Sequence, residues 1–288
     1  MTPRKTAVFG PAGNSDSYNA EKHKSNVEAP AWVKAKGLDA YEFQSGNGVR
    51  GSDEFFAAVG AAAAEAGILL SLHAPYYISL SGIDPEKRLG SLRYIRESLN
   101  AAALMGANII VVHTGSAAKI TREEAMDLAR DTLTIALEEI PDNGVIIGLE
   151  TMGKQNQLGT LDEVIELCKL SPRLAPVVDF GHINAYNVGN YFNNEADYLR
   201  VFDKISAELG ADAAMNLHCH FSKIEYTDKG EKKHLTFADT VFGPPFEPLA
   251  RVIADERLTP CIICESDGTQ AEDALAFKNI YKEHIKGD

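Results

Sequence analysis

Eight short apolar runs alternate with eight longer stretches of mixed polarity from one end of this chain to the other. The runs are KTAVFGP (5–11), DAYEFQS (39–45), ILLSLHAP (68–75), NIIVVHTG (108–115), VIIGLETMG (145–153), APVVDFGH (175–182), AAMNLHCHFSK (213–223) and TPCIICESDG (259–268). Most are apolar nearly throughout, the pattern of strands covered on both faces. The stretches between them carry helix punctuation. Thr121 and Thr160 each stand three residues before a glutamate, which predicts a capping box, and the 194–210 stretch ends on Gly210 as a helix should. A further helix is predicted near 20–37. Eight strand–helix units with no linker predict a closed (β/α)8 barrel, one α/β domain over residues 1–288. An open doubly wound sheet is the competitor, but GPAG at 10–13 is no GxGxxG and no GK[ST] occurs.

In such a barrel the carboxyl ends of all strands meet on one rim, where active sites sit. Here His73, His113, Glu150, Asp179, His182, His218 and Glu265 stand at or just after the ends of apolar runs, and His234 follows a little further on. Charged groups on apolar strands are costly to bury unless paired or metal-bound. Several carboxylates at one mouth repel each other unless a cation sits between them. These eight residues therefore predict a metal site. Imidazole and carboxylate without thiolate suit Zn, Mn or Fe and disfavour Ca or Mg.

Composition narrows the rest. Hydrophobic residues make up 45% of the 288, enough for a large core. No run reaches the roughly 18 apolar residues a membrane helix needs, and MTPRKTAVFG does not resemble a signal peptide. The cysteines Cys168, Cys219, Cys261 and Cys264 read as buried free thiols, so a cytoplasmic protein without a membrane partner is expected. The net charge of −13 argues against a surface that binds nucleic acid everywhere. It leaves room for a local site, since bound divalent ions reverse the sign within a cleft.

Several words resemble the endonuclease IV family, metal-dependent abasic-site endonucleases built on a TIM barrel. They are LHAPYYISL (72–80), VVHTGS (111–116), LETMGKQNQLGT (149–160), VVDFGHINA (177–185), LHCHFSK (217–223), KKH (232–234) and IICES (262–266). The resemblance runs from about residue 68 to the end. It implies that His73, His113 and Glu150 hold one zinc. Glu150 would bridge to a second, completed by Asp179, His218 and Glu265, and His182 and His234 would belong to a third. Mn or Fe could replace zinc. The family's third site has an Asp two residues before its last His, where this chain has Lys232. Two ions are therefore expected, with a third only if Glu231 or Asp228 supplies the missing carboxylate. Lys232 could instead act on a phosphate as a catalytic cation.

The implied partner is damaged duplex DNA, hydrolysed 5′ to an abasic site. Tyr76 stands where the family places a DNA-probing tyrosine, with Tyr77 beside it. The loop after the second strand, SGNGVRGS, carries only Arg50, and Lys223, Lys229, Lys232 and Lys233 collect after the seventh. The lysine segment reads equally well as a solvated hairpin. A rival uses the same scaffold. Glu150, Asp179, His218 and Glu265 alone also resemble the one-metal site of xylose-isomerase-like sugar isomerases and epimerases, in which Glu150 and Glu265 would be the catalytic pair exchanging a proton with a small sugar. His73, His113 and His182 favour the nuclease.

Overall fold

The computed structural model describes residues 4–285; the ends of the expected single domain, 1–3 and 286–288, lie outside it. Its strands are β1 (Val8–Pro11), β2 (Ala40–Gln44), β3 (Leu69–His73), β4 (Ile109–His113), β5 (Ile146–Glu150), β6 (Leu174–Asp179), β7 (His218–Phe221), β8 (Lys223–Thr227), β9 (Gly230–Leu235) and β10 (Cys261–Cys264). Eight of them form one parallel sheet in the order β1-β10-β7-β6-β5-β4-β3-β2. Strands β8 and β9 are an antiparallel hairpin apart from it.

The sheet curls into a nearly closed TIM barrel. The two end strands, β1 and β2, share a parallel bridge, Ala12 with Glu42, and the bonds Asp39 N–H to Phe9 O at 2.9 Å and Gly13 N–H to Glu42 O at 2.9 Å. Gly10 permits the approach, because a Cβ there would run into the carbonyl of Ala40. The same approach brings Glu42 against the mouth of the barrel.

Period-two alternation divides each strand between two environments. Phe9, Tyr41, Leu70, Leu72, Ile110, Val112, Leu149, Val178, Cys219 and Cys264 face outward into the helix-covered core. Inside the barrel, Val8, Ala12, Ala40, Leu69, Cys261 and Ile263 form one apolar cluster, and Ile109, Val111, Ile146 and Val177 another. The ligand candidates lie above these on the same inward parity. All four cysteines are buried and free, as expected.

The helices follow the punctuation with three departures, one being the short helix Ala211–Met215, which takes the start of the run expected as a strand from 213. Both capping boxes form, on helices Arg122–Glu139 and Leu161–Cys168. The helix expected near 20–37 is instead Asp16–Ala20 and Ala29–Ala35, split where Lys22 turns to a φ of 67° and restarted with Pro30 in its first turn. A short helix, Phe180–Tyr186, was not anticipated; Asp179 caps it, its Oδ1 accepting from His182 N–H at 2.7 Å. Among the described residues no helix is long and apolar enough to cross a membrane.

Candidate metal centre

Strand ends β3, β4, β5, β6, β7 and β10 deliver inward-facing side chains to one rim, and Glu150 is the point they share. Its Oε2 stands 3.6 Å from His73 Nε2 and 3.2 Å from His113 Nε2. Its Oε1 stands 3.0 Å from His220 Nδ1 and 3.5 Å from His182 Nδ1. His220 Nδ1 is also 3.4 Å from Glu265 Oε1. Glu150, Asp179, His182 and Glu265 offer ligand atoms that all lie within 4.8 Å of one another. One carboxylate thus faces two ligand sets, one through each oxygen.

A third set lies on the outer side. Glu231 Oε2 is 3.5 Å from His182 Nε2, and Glu231 Oε1 is 3.9 Å from His234 Nε2. Gly153 makes room for it: a Cβ there would come within 2.7 Å of Glu231 Cβ and 3.0 Å of His182 Cδ2.

Backbone carbonyls set the imidazole orientations. His73 Nδ1 bonds Ala74 O at 2.9 Å, and His182 Nδ1 bonds Thr151 O at 2.9 Å. A carbonyl only accepts, so these nitrogens carry the hydrogen and the neutral rings present Nε2 as a metal ligand.

The residues fit divalent ions on an observation independent of their kind. Glu150 Oε2 and Asp179 Oδ2 are buried without a hydrogen-bond partner, and both face neighbours that are themselves ligand groups. Buried polar atoms without a partner are costly, and an ion at this position would satisfy them. Within the cluster the imidazoles and carboxylates shift one another's protonation. Burial pushes the Glu150 and Glu265 carboxyls up, but His220 and its neighbours outweigh it, leaving Glu150 well below the usual range and Glu265 at about 2. Burial likewise works to lower His182 and His220, yet the surrounding carboxylates raise both well above ordinary histidine. Asp179 moves the other way, raised by burial to about 6 despite His182, with Glu265 and Glu150 adding repulsion.

Of the eight expected ligands, His73, His113, Glu150, Asp179, His182, His234 and Glu265 converge here. His218 does not join them. It also faces inward, but lies one pleat deeper, level with Val177, while His220 is level with Asp179. His218 Nε2 meets Glu42 Oε2 at 3.0 Å, while His220 Nδ1 reaches Glu150 and Glu265. Glu42, His218 and His220 form a close group of their own. Lys232, expected as a catalytic cation, stands outside this cluster. A bulge in the β8–β9 hairpin leaves Lys232 without a partner in the register, and its Nζ pairs with Glu225 at 2.6 Å on an exposed face. The same bulge brings Glu231 and His234, three apart, to one side, where Glu231 faces His182 and Glu265 also lies close to both histidines.

The expected substrate contacts divide. Tyr76 is half-exposed, its ring 5.3 Å from those of both His73 and His113. It lines a cleft of about 440 Å³ with Gln44, Lys233, His234, Glu265 and Asp267. Tyr77 packs instead on Tyr94, at 5.5 Å. Lys223 is turned back onto the Asp239 carbonyl and the Phe237 ring. Arg50 is exposed on the loop after β2 and makes no ion pair among the described residues. Glu42 and His220 are absent from the site expected from the sequence, whereas Glu231 is one of the two acids offered for its third set. For Glu42 a signal existed, a carboxylate inside an apolar strand with no neighbouring base.

A family model described as the xylose isomerase-like TIM barrel matches residues 30–282. An uncharacterised protein of Methanocaldococcus jannaschii is 29% identical over 213 residues, 73% of this chain and 76% of that one. A protein named probable endonuclease 4 from Mycoplasma pneumoniae is 30% identical over 192 residues, 65% of this chain and 64% of its own. Among solved structures, endonuclease IV of Thermus thermophilus superposes with a TM-score of 0.67 at 20% identity, covering 99% of this chain and 100% of that one. A D-tagatose 3-epimerase-like protein does so at 0.68 and 20%, covering 97% of each. At such identities the two likenesses concern the fold.

Proposed function

This chain belongs to the xylose isomerase-like TIM barrel family, and on that premise we propose that it is a metal-dependent phosphodiesterase that hydrolyses DNA 5′ to abasic sites. The observation that carries the reading is the second ligand set, His73 and His113 against Glu150 Oε2, beside the set around His220. A one-metal sugar enzyme has no use for it. The relatives named probable endonuclease 4 support the same direction.

Zinc, with Mn or Fe as substitutes, would be held by His73, His113 and Glu150, by Glu150, Asp179, His220 and Glu265, and by His182, His234 and Glu231. Such ions supply positive charge to a phosphate and hydroxide at neutral pH. The chain's own contribution is placement. Glu150, held on a strand end and buried, fixes the spacing of the two inner sets through its two oxygens. The carbonyls of Ala74 and Thr151 keep His73 and His182 turned toward their sets. Lys233, in the cleft wall, offers a cation to a phosphate, and the Tyr76 ring offers an apolar face to the baseless sugar or its neighbour. Water adds to phosphorus and the P–O3′ bond breaks, leaving a 3′-hydroxyl and a 5′-phosphate on the abasic residue. A baseless sugar is also easier to extrude than a paired base, which favours the lesion over intact duplex.

A second reading, a one-metal ketose epimerase, is favoured by the epimerase-like fold neighbour and by Glu150 and Glu265 flanking one set. Incubation of the metal-loaded protein with a duplex carrying a tetrahydrofuran abasic analogue distinguishes the two. Nicking 5′ to the analogue is expected; an intact duplex together with epimerisation of a ketose would overturn the proposal in favour of the second reading.

A further inference from the structure

Beneath the rim the barrel interior holds a second polar layer, the close group of Glu42, His218 and His220. Glu42, on β2, is completely buried. Ser71 Oγ donates to its Oε2 at 2.8 Å, and Gln44 Nε2 donates to its Oε1 at 3.3 Å. His218 Nε2 approaches Oε2 at 3.0 Å, and His220 Nε2 stands 3.1 Å from Oε1 and 3.2 Å from Oε2. A buried carboxylate in this setting only accepts, so each imidazole directs an Nε2–H at it. His220 thereby differs from His73 and His182, whose carbonyl partners claim Nδ1 and leave Nε2 free.

We propose that Glu42 is a positioning residue that locks His220 as an Nδ1 ligand. Its carboxylate holds the Nε2–H, so the ring can present only Nδ1 to the rim, where Glu150 Oε1 lies at 3.0 Å and Glu265 Oε1 at 3.4 Å. A carboxylate behind a ligating imidazole also raises the basicity of the ligand nitrogen. The layer is built from both ends of the sheet. β2 brings Glu42 to β7 across the seam that Gly10 allows, and His218, on the same parity as His220, fills the second side of Glu42 and keeps it from swinging. Glu42 touches no substrate. Its effect is confined to the ion set of Glu150, Asp179, His220 and Glu265, and it leaves the His73–His113 set alone.

The inference rests on the metal reading above, so its test uses metal uptake, which contains no phosphodiester step. Apo protein is titrated with cobalt(II) alone. In Glu42→Gln, affinity at one position should fall by about 10- to 100-fold, the effect of losing such an outer partner, while a second position keeps its affinity. Equal affinities in wild type and variant would overturn the proposal. Should Glu42→Gln fail to fold, imidazole nitrogen NMR of wild type loaded with NMR-active cadmium answers the same question. Metal coupling at His220 Nδ1 with a proton kept on Nε2 is expected. Coupling through His220 Nε2, or a metal signature on His218, would show that Glu42 is instead a ligand of its own ion. A chain that takes up metal as described yet never nicks DNA leaves Glu42's role standing and sinks only the nuclease.

Discussion

Glu150 Oε1 and His220 Nδ1 meet at 3.0 Å while the other oxygen of the same carboxylate stands 3.2 Å from His113. A single side chain thus belongs to two ligand sets, and its removal should disturb both. Glu150→Gln keeps the shape but removes the negative charge and replaces one oxygen with an NH2 donor. Elemental analysis should show the metal content of the purified protein falling by at least one ion per chain, and nicking of abasic duplex should fall by about a thousandfold, roughly 4 kcal/mol of barrier. Retention of full metal content would detach Glu150 from the centre.

Glu231 and Lys232 are neighbours with opposite expectations. Glu231→Ala should lower bound metal by about one per chain, because it faces His182 at 3.5 Å. Lys232→Ala should leave the count and the rate unchanged, because its amine is spent on Glu225 at an exposed site, where ion pairs are worth about 1 kcal/mol or less. Elemental analysis and nicking rates of the two variants decide this. A large rate loss in Lys232→Ala would return that lysine to the mechanism.

Metal uptake should be pH-dependent, with a definite sign. His182 and His220 are raised well above ordinary histidine: burial opposes this, but Asp179 outweighs it for His182, and Glu42 with Glu265 for His220. Below their folded-state values both rings hold an extra proton that an arriving ion must displace. Affinity should therefore rise with pH through neutrality, and zinc added at neutral pH should release about one proton or more per chain into weak buffer. Uptake without proton release would contradict the protonated cluster.

Away from the centre, Arg122 Nη2 meets Glu163 Oε2 at 2.6 Å, and that oxygen also accepts from the Gly159 and Thr160 N–H groups at 2.9 Å each. Burial pushes the Glu163 carboxyl up, but Arg122 and the two amides lower it below its usual value. A depressed folded-state value means stability present above the unfolded value and lost as pH falls through the folded one. Glu163→Ala should cost about 2 kcal/mol near neutrality, from a lost cap and a charged hydrogen bond. The difference from wild type should shrink in acid, as thermal unfolding at several pH values would show. A constant difference would mean the charge contributes nothing.

Period-two alternation and strand ends made the barrel legible in the sequence, and with it the convergence of His73, His113, Glu150, Asp179 and Glu265. His182 and His234 come from the helix and hairpin beyond the strands. For the strand-end residues, inward parity at the carboxyl end follows from the chain itself. His218 and His220 share that parity, so alternation could not choose between them. Only the stagger of neighbouring strands, which puts Asp179 level with His220, does so. Between Glu231 and Asp228 the sequence left the choice open. A bulge at Lys232 reverses the side each residue faces, and nothing in EKKH announces it. Glu42 was passed over because it sits mid-strand. The split of the expected 20–37 helix turns on Lys22, a residue whose type does not favour a φ of 67°.

The placement of ions around Glu150 tests the account most directly. Anomalous diffraction from crystals loaded with zinc should give two peaks about 3.5–4 Å apart on either side of that carboxylate, with a third among His182, Glu231 and His234. A single peak among Glu150, Asp179, His220 and Glu265, with His73 and His113 bare, would contradict it.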